Sequence, residues 1–314
     1  MSQPDPSSPV LARLDRRGLL AAIGAFAIWG LLPLYLKLLH QAPVFQIMTH
    51  RVVWCCLFVF GWLGVRGELG HVTRALADGV TRLRLFASAV MITINWLTYV
   101  WAVGNGHVVE ASLGYFINPL VSVLLGVLFL SEKLNPRQWI AVALAALGVA
   151  WLTWQVGRPP WIALTLAFSF GLYGFVRKTV VVDAVAGLAV ETLLILPFAL
   201  AWLLFEYGRG ASVFGVVSWQ LDALLVASGL LTAVPLVLFA FGVRRVPLTT
   251  IGLLQYMAPT LQLITALLVF KEPFTAVQAV GFGCIWLGLV VYAADGVWRG
   301  RPAPALRVAA NAGR

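Results

Sequence analysis

Ten apolar runs, each long enough to cross a lipid bilayer and each separated from the next by a short polar stretch, dominate this sequence. They cover residues 18–39, 44–65, 85–104, 108–130, 137–155, 161–177, 185–206, 221–243, 248–270 and 274–297. A helix of about 20 apolar residues spans the hydrocarbon core, with a working range near 17–25. Lipid offers the backbone no hydrogen-bond partners, so each crossing segment must satisfy its own peptide groups as a helix. The expected fold class is therefore an all-α membrane protein with ten transmembrane helices. Composition closes the soluble alternative: 61% of the 314 residues are hydrophobic and 11% are charged, where soluble domains carry about 25% charged residues.

The net charge of +10 raises the question of a nucleic-acid partner. The basic residues lie between the apolar runs and form no patch, so nucleic acid is not expected. Their distribution speaks instead to orientation. With the amino terminus in the cytoplasm, 17 of the 22 Lys and Arg residues fall in inside segments, while Lys37, Arg158, Arg209 and Lys271 fall outside and Arg51 lies within a span. That asymmetry fits cytoplasmic amino and carboxyl termini and an even number of spans. The run at Gly18–Leu39 is too long for a signal-peptide core and reads as an uncleaved first span. Gly67–Arg84 carries Leu69, Val72, Leu76, Val80 and Leu83 at helical spacing, which predicts a short amphipathic helix on the inner surface.

The sequence also repeats. Ser112–Leu152 matches Gly252–Tyr292 without a gap at an offset of 140, pairing Pro119 with Pro259, Glu132 with Glu272, Gln138 with Gln278 and Gly148 with Gly288; upstream, Gly30 and Lys37 correspond to Gly171 and Lys178 at an offset of 141. Each half then holds five spans. Because five is odd, the second half enters the membrane upside down, which is the inverted-repeat plan of secondary transporters. The expected organisation is a disordered cytoplasmic tail at 1–17, a first five-helix repeat at 18–155, a second, inverted repeat at 161–297 and a disordered cytoplasmic tail at 298–314. Pro119 and Pro259 are expected to break their helices and free the carbonyls of Tyr115 and Gln255 toward a central site.

Polar side chains inside the spans are costly, with an arginine at the bilayer centre near 2.5–3.5 kcal/mol or more, so they should face the bundle interior. Asn95, Trp96 and Tyr99 cluster on the third span, Ser112, Tyr115, Asn118 and Ser122 form a stripe on the fourth, and Gln255 and Tyr256 precede Pro259. These amide and aromatic groups suit a pocket for an amphipathic solute, or serve as interhelical glue. Trp29, Tyr35 and Tyr173 are further candidates. Arg51, with His50 beside it, and Glu191, at the matching place in the second half, are expected to set charge preference or couple protons; a fixed ion pair is the plainer alternative. Glu132 and Glu272 sit at loop junctions and read as helix-end partners before gates. No P-loop, HExxH, GxSxG or cysteine–histidine set occurs. Cys55, Cys56 and Cys284 read as small apolar residues. No catalytic residue, metal or cofactor is expected.

Several runs closely resemble the RarD family, in the EamA branch of the drug/metabolite transporter superfamily: GLLAAIGAFAIWGLLPLYLKLL (18–39), HRVVW (50–54), NWLTYVWAVGNGHVVEASLGYFINPLVSVLLG (95–126), FGLYGFVRK (170–178), GLAVETLLILPFAL (187–200), TAVPLVLFA (232–240) and GLLQYMAPTLQ (252–262). The resemblance covers nearly all of residues 18–295. It implies the drug/metabolite transporter fold of ten helices in two inverted halves, a place in the bacterial inner membrane, and a permease that exports a small metabolite or drug-like solute by alternating access. It carries over no agreed site residues. The partners expected are a small-molecule substrate, membrane lipid and, for coupling, a proton or another ion; a homodimer is compatible with this reading. A non-transporting membrane sensor or accessory subunit is the alternative, and an intramembrane enzyme a third class.

Overall fold

The computed structural model describes residues 15–105, 107–155, 160–270 and 275–299. Among these the chain is all helical: α1 (Arg16–Leu38), α2 (Val44–Val65), α3 (Leu69–Ala77), α4 (Gly79–Gly104), α5 (Val108–Phe129), α6 (Pro136–Trp154), α7 (Trp161–Thr179), α8 (Ala184–Gly208), α9 (Trp219–Val243), α10 (Leu248–Leu254), α11 (Met257–Thr265), a π-helical segment Ala266–Phe270, and α12 (Ala276–Arg299). Among the described residues seven stretches are long and apolar enough to cross a membrane by length and composition, and Leu113–Phe129 is a shorter apolar helix. Large apolar side chains face outward along their length, among them Phe198 at 77% and Leu204 at 69% exposure. A surface of that kind is stable against acyl chains and unstable against water.

Short polar residues set the helix ends. The Asp15 carboxylate accepts from the backbone N–H groups of Arg17 and Gly18, and Asp183 from those of Val185 and Ala186. These are N-caps, which satisfy donors the helix cannot satisfy itself. Asp78 does the same for α4 by accepting from Thr81 N at 2.9 Å, and its hydrogen bonds with Thr81 hold the carboxyl below the usual carboxylate range. Hence α4 starts at Gly79, ahead of the expected 85. Val80 and Leu83 belong to it, and the predicted amphipathic helix shortens to α3, which buries Val72 and Ala75. The edges of the expected tails are also helical: Arg16 and Arg17 begin α1, and Trp298 and Arg299 end α12. The remainder of both tails, and Glu272, lie outside the described residues.

The two prolines behave differently. Pro259 sits just past an interruption: α10 ends at Leu254, α11 starts at Met257, and the Gln255 carbonyl that lacks its regular partner accepts from Ala258 N at 3.2 Å. Pro119 lies inside an uninterrupted α5. The expected break there does not form. A proline needs only the loss of one hydrogen bond, and a helix packed on several sides can bridge it as a continuous element.

Contacts recur at the sequence offset. Helix α5 packs on α7 and α1 on α11; α4 on α7 and α1 on α9; α2 on α9 and α4 on α8; α6 packs on α12. The recurrence extends to atoms. A Cβ on Gly30 would lie 2.7 Å from Leu261 Cβ, and one on Gly171 would lie 2.7 Å from Val121 Cγ1, and Val121 and Leu261 are themselves 140 apart. A Cβ on Gly148 would meet the Gly281 carbonyl oxygen at 2.5 Å, and one on Gly288 would meet the Ala141 carbonyl oxygen at 2.7 Å. The capping box at the start of α6, where Asn135 and Gln138 each bond the other's backbone N–H, reappears with Thr275 and Gln278 at α12.

Candidate functional site

A cavity of about 150 Å³ lies among α1, α2, α4, α5, α7, α9 and the α10–α11 junction. Eight of the residues singled out from the sequence line it: Arg51, Asn95, Trp96, Tyr99, Tyr115, Asn118, Gln255 and Pro259, joined by Trp29. Thr232 and Gln262 also line it and were not anticipated. Thr232 is a small residue in a largely apolar run, which no sequence pattern marks, whereas Gln262, three positions past Pro259, is a polar residue within a span of the same kind as Gln255.

Interhelical bonds hold the polar lining in place. Arg51 Nε donates to Thr232 Oγ1 at 2.9 Å, tying α2 to α9, and Arg51 Nη1 rests 3.5 Å from Met48 Sδ. Its guanidinium carbon lies 5.8 Å from the centre of the Trp96 ring, close enough for attraction by the ring face. Asn95 Nδ2 donates to the Leu166 carbonyl at 2.9 Å and to Ser169 Oγ at 3.1 Å, tying α4 to α7. Gln255 Nε2 donates to Ser122 Oγ at 3.1 Å, and Gln262 Nε2 to the Trp29 carbonyl at 3.2 Å. Tyr99 and Tyr115 meet edge to face at 5.9 Å. Asn118 is 7% exposed, and its Oδ1 has no partner among the described residues. Part of the polar set is thus glue between helices, and part is free to meet a solute.

Met48 and Trp96 stand on two walls at once. They line the cavity and also an apolar groove of about 610 Å³ on the face formed by α2, α4 and α8.

Other expected site residues lie elsewhere. Tyr173, 1% exposed, stacks on Phe239 at 5.9 Å in the main apolar core. Tyr256 is fully buried in a second cluster with Phe116, Phe282 and Ile285. Of the neighbours Gln255 and Tyr256, only Gln255 lines the cavity. His50 packs against Phe214 at 4.9 Å and is absent from the cavity wall.

Glu191 pairs with neither Arg51 nor His50. Its carboxylate lies 3.5 Å from Arg177 Nη1 and accepts from the Ser88 hydroxyl, with both charged side chains 2% exposed. Arg177 also donates to the Ala184 carbonyl at 3.0 Å. The guanidinium at the end of α7 folds over the first turns of α8, where a Cβ on Gly187 would collide with it. The fixed ion pair weighed as the plainer alternative for Glu191 exists, with Arg177 as its partner.

Glu132 is a helix-end partner, and the end belongs to a distant helix. Its two carboxylate oxygens accept from Leu248 N at 2.7 Å and Thr249 N at 2.8 Å, the first turn of α10. Lys178 Nζ lies 3.8 Å away and donates to the carbonyls of Val243 and Val246. One carboxylate and one ammonium thereby join the ends of α5, α7, α9 and α10. Glu132→Ala should lower stability by about 1–2 kcal/mol, the scale of a lost N-cap, and Glu132→Gln by less, because the amide oxygen still accepts. Thermal unfolding in detergent of the three proteins measures both.

The sequence pattern of the EamA-like transporter family matches residues 16–154 and again residues 159–294. An uncharacterized transporter of Pseudomonas aeruginosa is 47% identical over 284 residues, covering 90% of this chain and 95% of the relative. The uncharacterized transporter YojE of Bacillus subtilis is 44% identical, covering 88% and 93%. Protein RarD of Escherichia coli is 40% identical over 290 residues, covering 92% and 98%. A solved crystal structure has a TM-score of 0.66 at 18% identity, covering 89% of this chain and 98% of the other, a likeness of fold.

Proposed function

The chain belongs to the EamA-like transporter family, with RarD proteins among its relatives, and is a multi-pass membrane protein; from that premise we propose a secondary transporter that moves a small amphipathic metabolite or drug-like solute across the bacterial inner membrane by alternating access, in the direction of export. Ten helices cross the bilayer as two inverted five-helix halves, with both termini in the cytoplasm. The recurrence of helix contacts and of the capping box at offsets of 140 and 141 supports the two halves. The excess of Lys and Arg in alternate loops supports the orientation.

The observation that carries the reading is the cavity. It is enclosed by helices of both halves and lined by aromatic rings with a few amides and one guanidinium. Buried polar atoms in lipid are retained where they face a solute path or another helix. Arg51, Asn118, Tyr99, Tyr115 and Trp96 hold the solute, while Asn95 and Gln255 brace the walls. Rocking of one half against the other would open the cavity to each side in turn. The buried Arg177–Glu191 pair holds α7, α8 and α4 together in this scheme and takes no part in solute contact. The relatives are named as transporters, which leaves a non-transporting sensor or an enzyme unfavoured.

Ala258 lines the cavity, so Ala258→Phe should fill it. Solutes released into the medium are compared between cells expressing the wild-type protein, Ala258→Phe or neither. A solute whose release depends on the wild-type chain should fall at least about tenfold in the variant, the equivalent of losing about 1.4 kcal/mol of binding. Equal release from a folded Ala258→Phe protein would remove the cavity from the transport path.

A further inference from the structure

We infer that the cavity selects an organic monoanion: a solute with one carboxylate, or an anion of like charge and size, on a flat apolar body. This rests on the reading of the cavity as the transport site and specifies its substrate class.

Arg51 is 9% exposed and is the one formally charged residue among the described residues lining the cavity. Its contacts there are a hydroxyl, a thioether and the face of an indole. None of these carries a negative charge. Glu191, the acid at the matching place in the second half, is bound to Arg177 and Ser88. The contrast between the two arginines is the core of the argument. Arg177, 2% exposed, is matched by a carboxylate; Arg51, 9% exposed, meets no carboxylate among the described residues, in a place where lipid surrounds the helices. A buried charge is retained where something of opposite sign arrives to meet it. Guanidinium presents a planar fork that matches a carboxylate through two parallel hydrogen bonds. Arg51 has committed Nε to Thr232, which fixes the plane of the fork against the wall.

The rest of the lining describes the body of the solute. Trp29, Trp96, Tyr99, Tyr115 and Phe170 supply ring faces and edges, which pack best on another flat group. A cavity of about 150 Å³ is of the size that accepts a single six-membered ring. The unpartnered Asn118 Oδ1 is an acceptor in a residue 7% exposed, so it would be met by an N–H or O–H on the body of a solute and not by its carboxylate.

The test uses three single-ring probes of similar size and different charge: benzoate and its planar neutral counterpart benzamide, and the cation benzylamine, near pH 7, where the carboxylate is ionised and the amine protonated. Binding to the purified full-length protein in detergent is measured by calorimetry, with Trp fluorescence as a second signal. Benzoate should bind at least about tenfold tighter than benzamide, with benzylamine weakest. Arg51→Gln should lower benzoate affinity at least about tenfold and so erase the preference over benzamide measured on the same variant, and Arg51→Lys should restore part of it. Equal affinity for benzoate and benzamide, a preference for benzylamine, or no benzoate binding at millimolar concentration would overturn the inference. Binding is read without flux, and the transport reading is read from the Ala258→Phe comparison, so failure of one is distinguishable from failure of the other.

Discussion

Replacing Glu191 with leucine should lower the stability of the folded protein by about 3–5 kcal/mol, and replacing Arg177 with leucine should do the same. Each single change leaves the other charge buried without its counterion. Both side chains are 2% exposed, so water cannot take over the lost interaction. Arg177 Nε already lacks a partner among the described residues, which makes the guanidinium dependent on the contacts it does have. The pair of changes together behaves differently. Arg177→Leu with Glu191→Leu removes both charges and leaves two apolar side chains in an apolar core that includes Val180, Ala186 and Leu188. Buried ion pairs replaced by apolar groups are often neutral in stability. The double variant should therefore regain at least about half of the single-variant loss. Unfolding in detergent, run as a double-mutant cycle, reads this directly. A double variant that loses the sum of the two single effects would show that the residues act independently. Ser88, whose hydroxyl donates to Glu191, loses that acceptor in Glu191→Leu and in the double variant, which limits the recovery.

The second large effect concerns α6 against α12. Gly148→Leu and Gly288→Leu should each destabilise by about 1–3 kcal/mol, the range for forcing atoms into a packed interface. In both, the first added atom would lie within 2.7 Å of a backbone carbonyl oxygen on the facing helix. A backbone atom cannot rotate away, so the helices must separate. The gain from leucine's better helix propensity, about 1 kcal/mol at most, does not offset this. The two costs should agree within about 0.5 kcal/mol, because Gly148 faces Gly281 as Gly288 faces Ala141, with 140 residues between the members of each equivalent pair. Small residues that let two backbones approach are a recurrent device for helix association in lipid. Thermal unfolding of both variants tests the agreement. A loss at one position and none at the other would deny the equivalence of the two contacts.

Local physics explains what could be read along the chain. The crossing segments were legible because each must hide its own backbone in hydrocarbon, and so announces itself by length and apolarity. The caps at Asp15, Asp183 and Asn135 were open to the same reading, since an end donor is met by a residue one to three positions away. The gathering of Arg51, Asn95, Tyr99, Tyr115 and Asn118 around one space followed from a general rule, that polar atoms avoid lipid. Glu132 could be recognised as a helix-end residue, but nothing in the sequence says that the end it serves is α10, 116 positions onward.

What the sequence by itself determined, then, is which stretches are helices, that they pack with polar faces inward, and that one pattern occurs twice. The tertiary structure alone decided the partners: Glu191 to Arg177 and not Arg51, Gln255 to Ser122, Tyr256 into an apolar cluster beside Phe116, and Thr232 beside the one uncompensated guanidinium in the cavity. The reason is geometric. A helix fixes the direction of a side chain relative to its own axis, whereas partner choice depends on the rotation and tilt of a second helix, and those are set by the sum of many weak packing contacts spread along both.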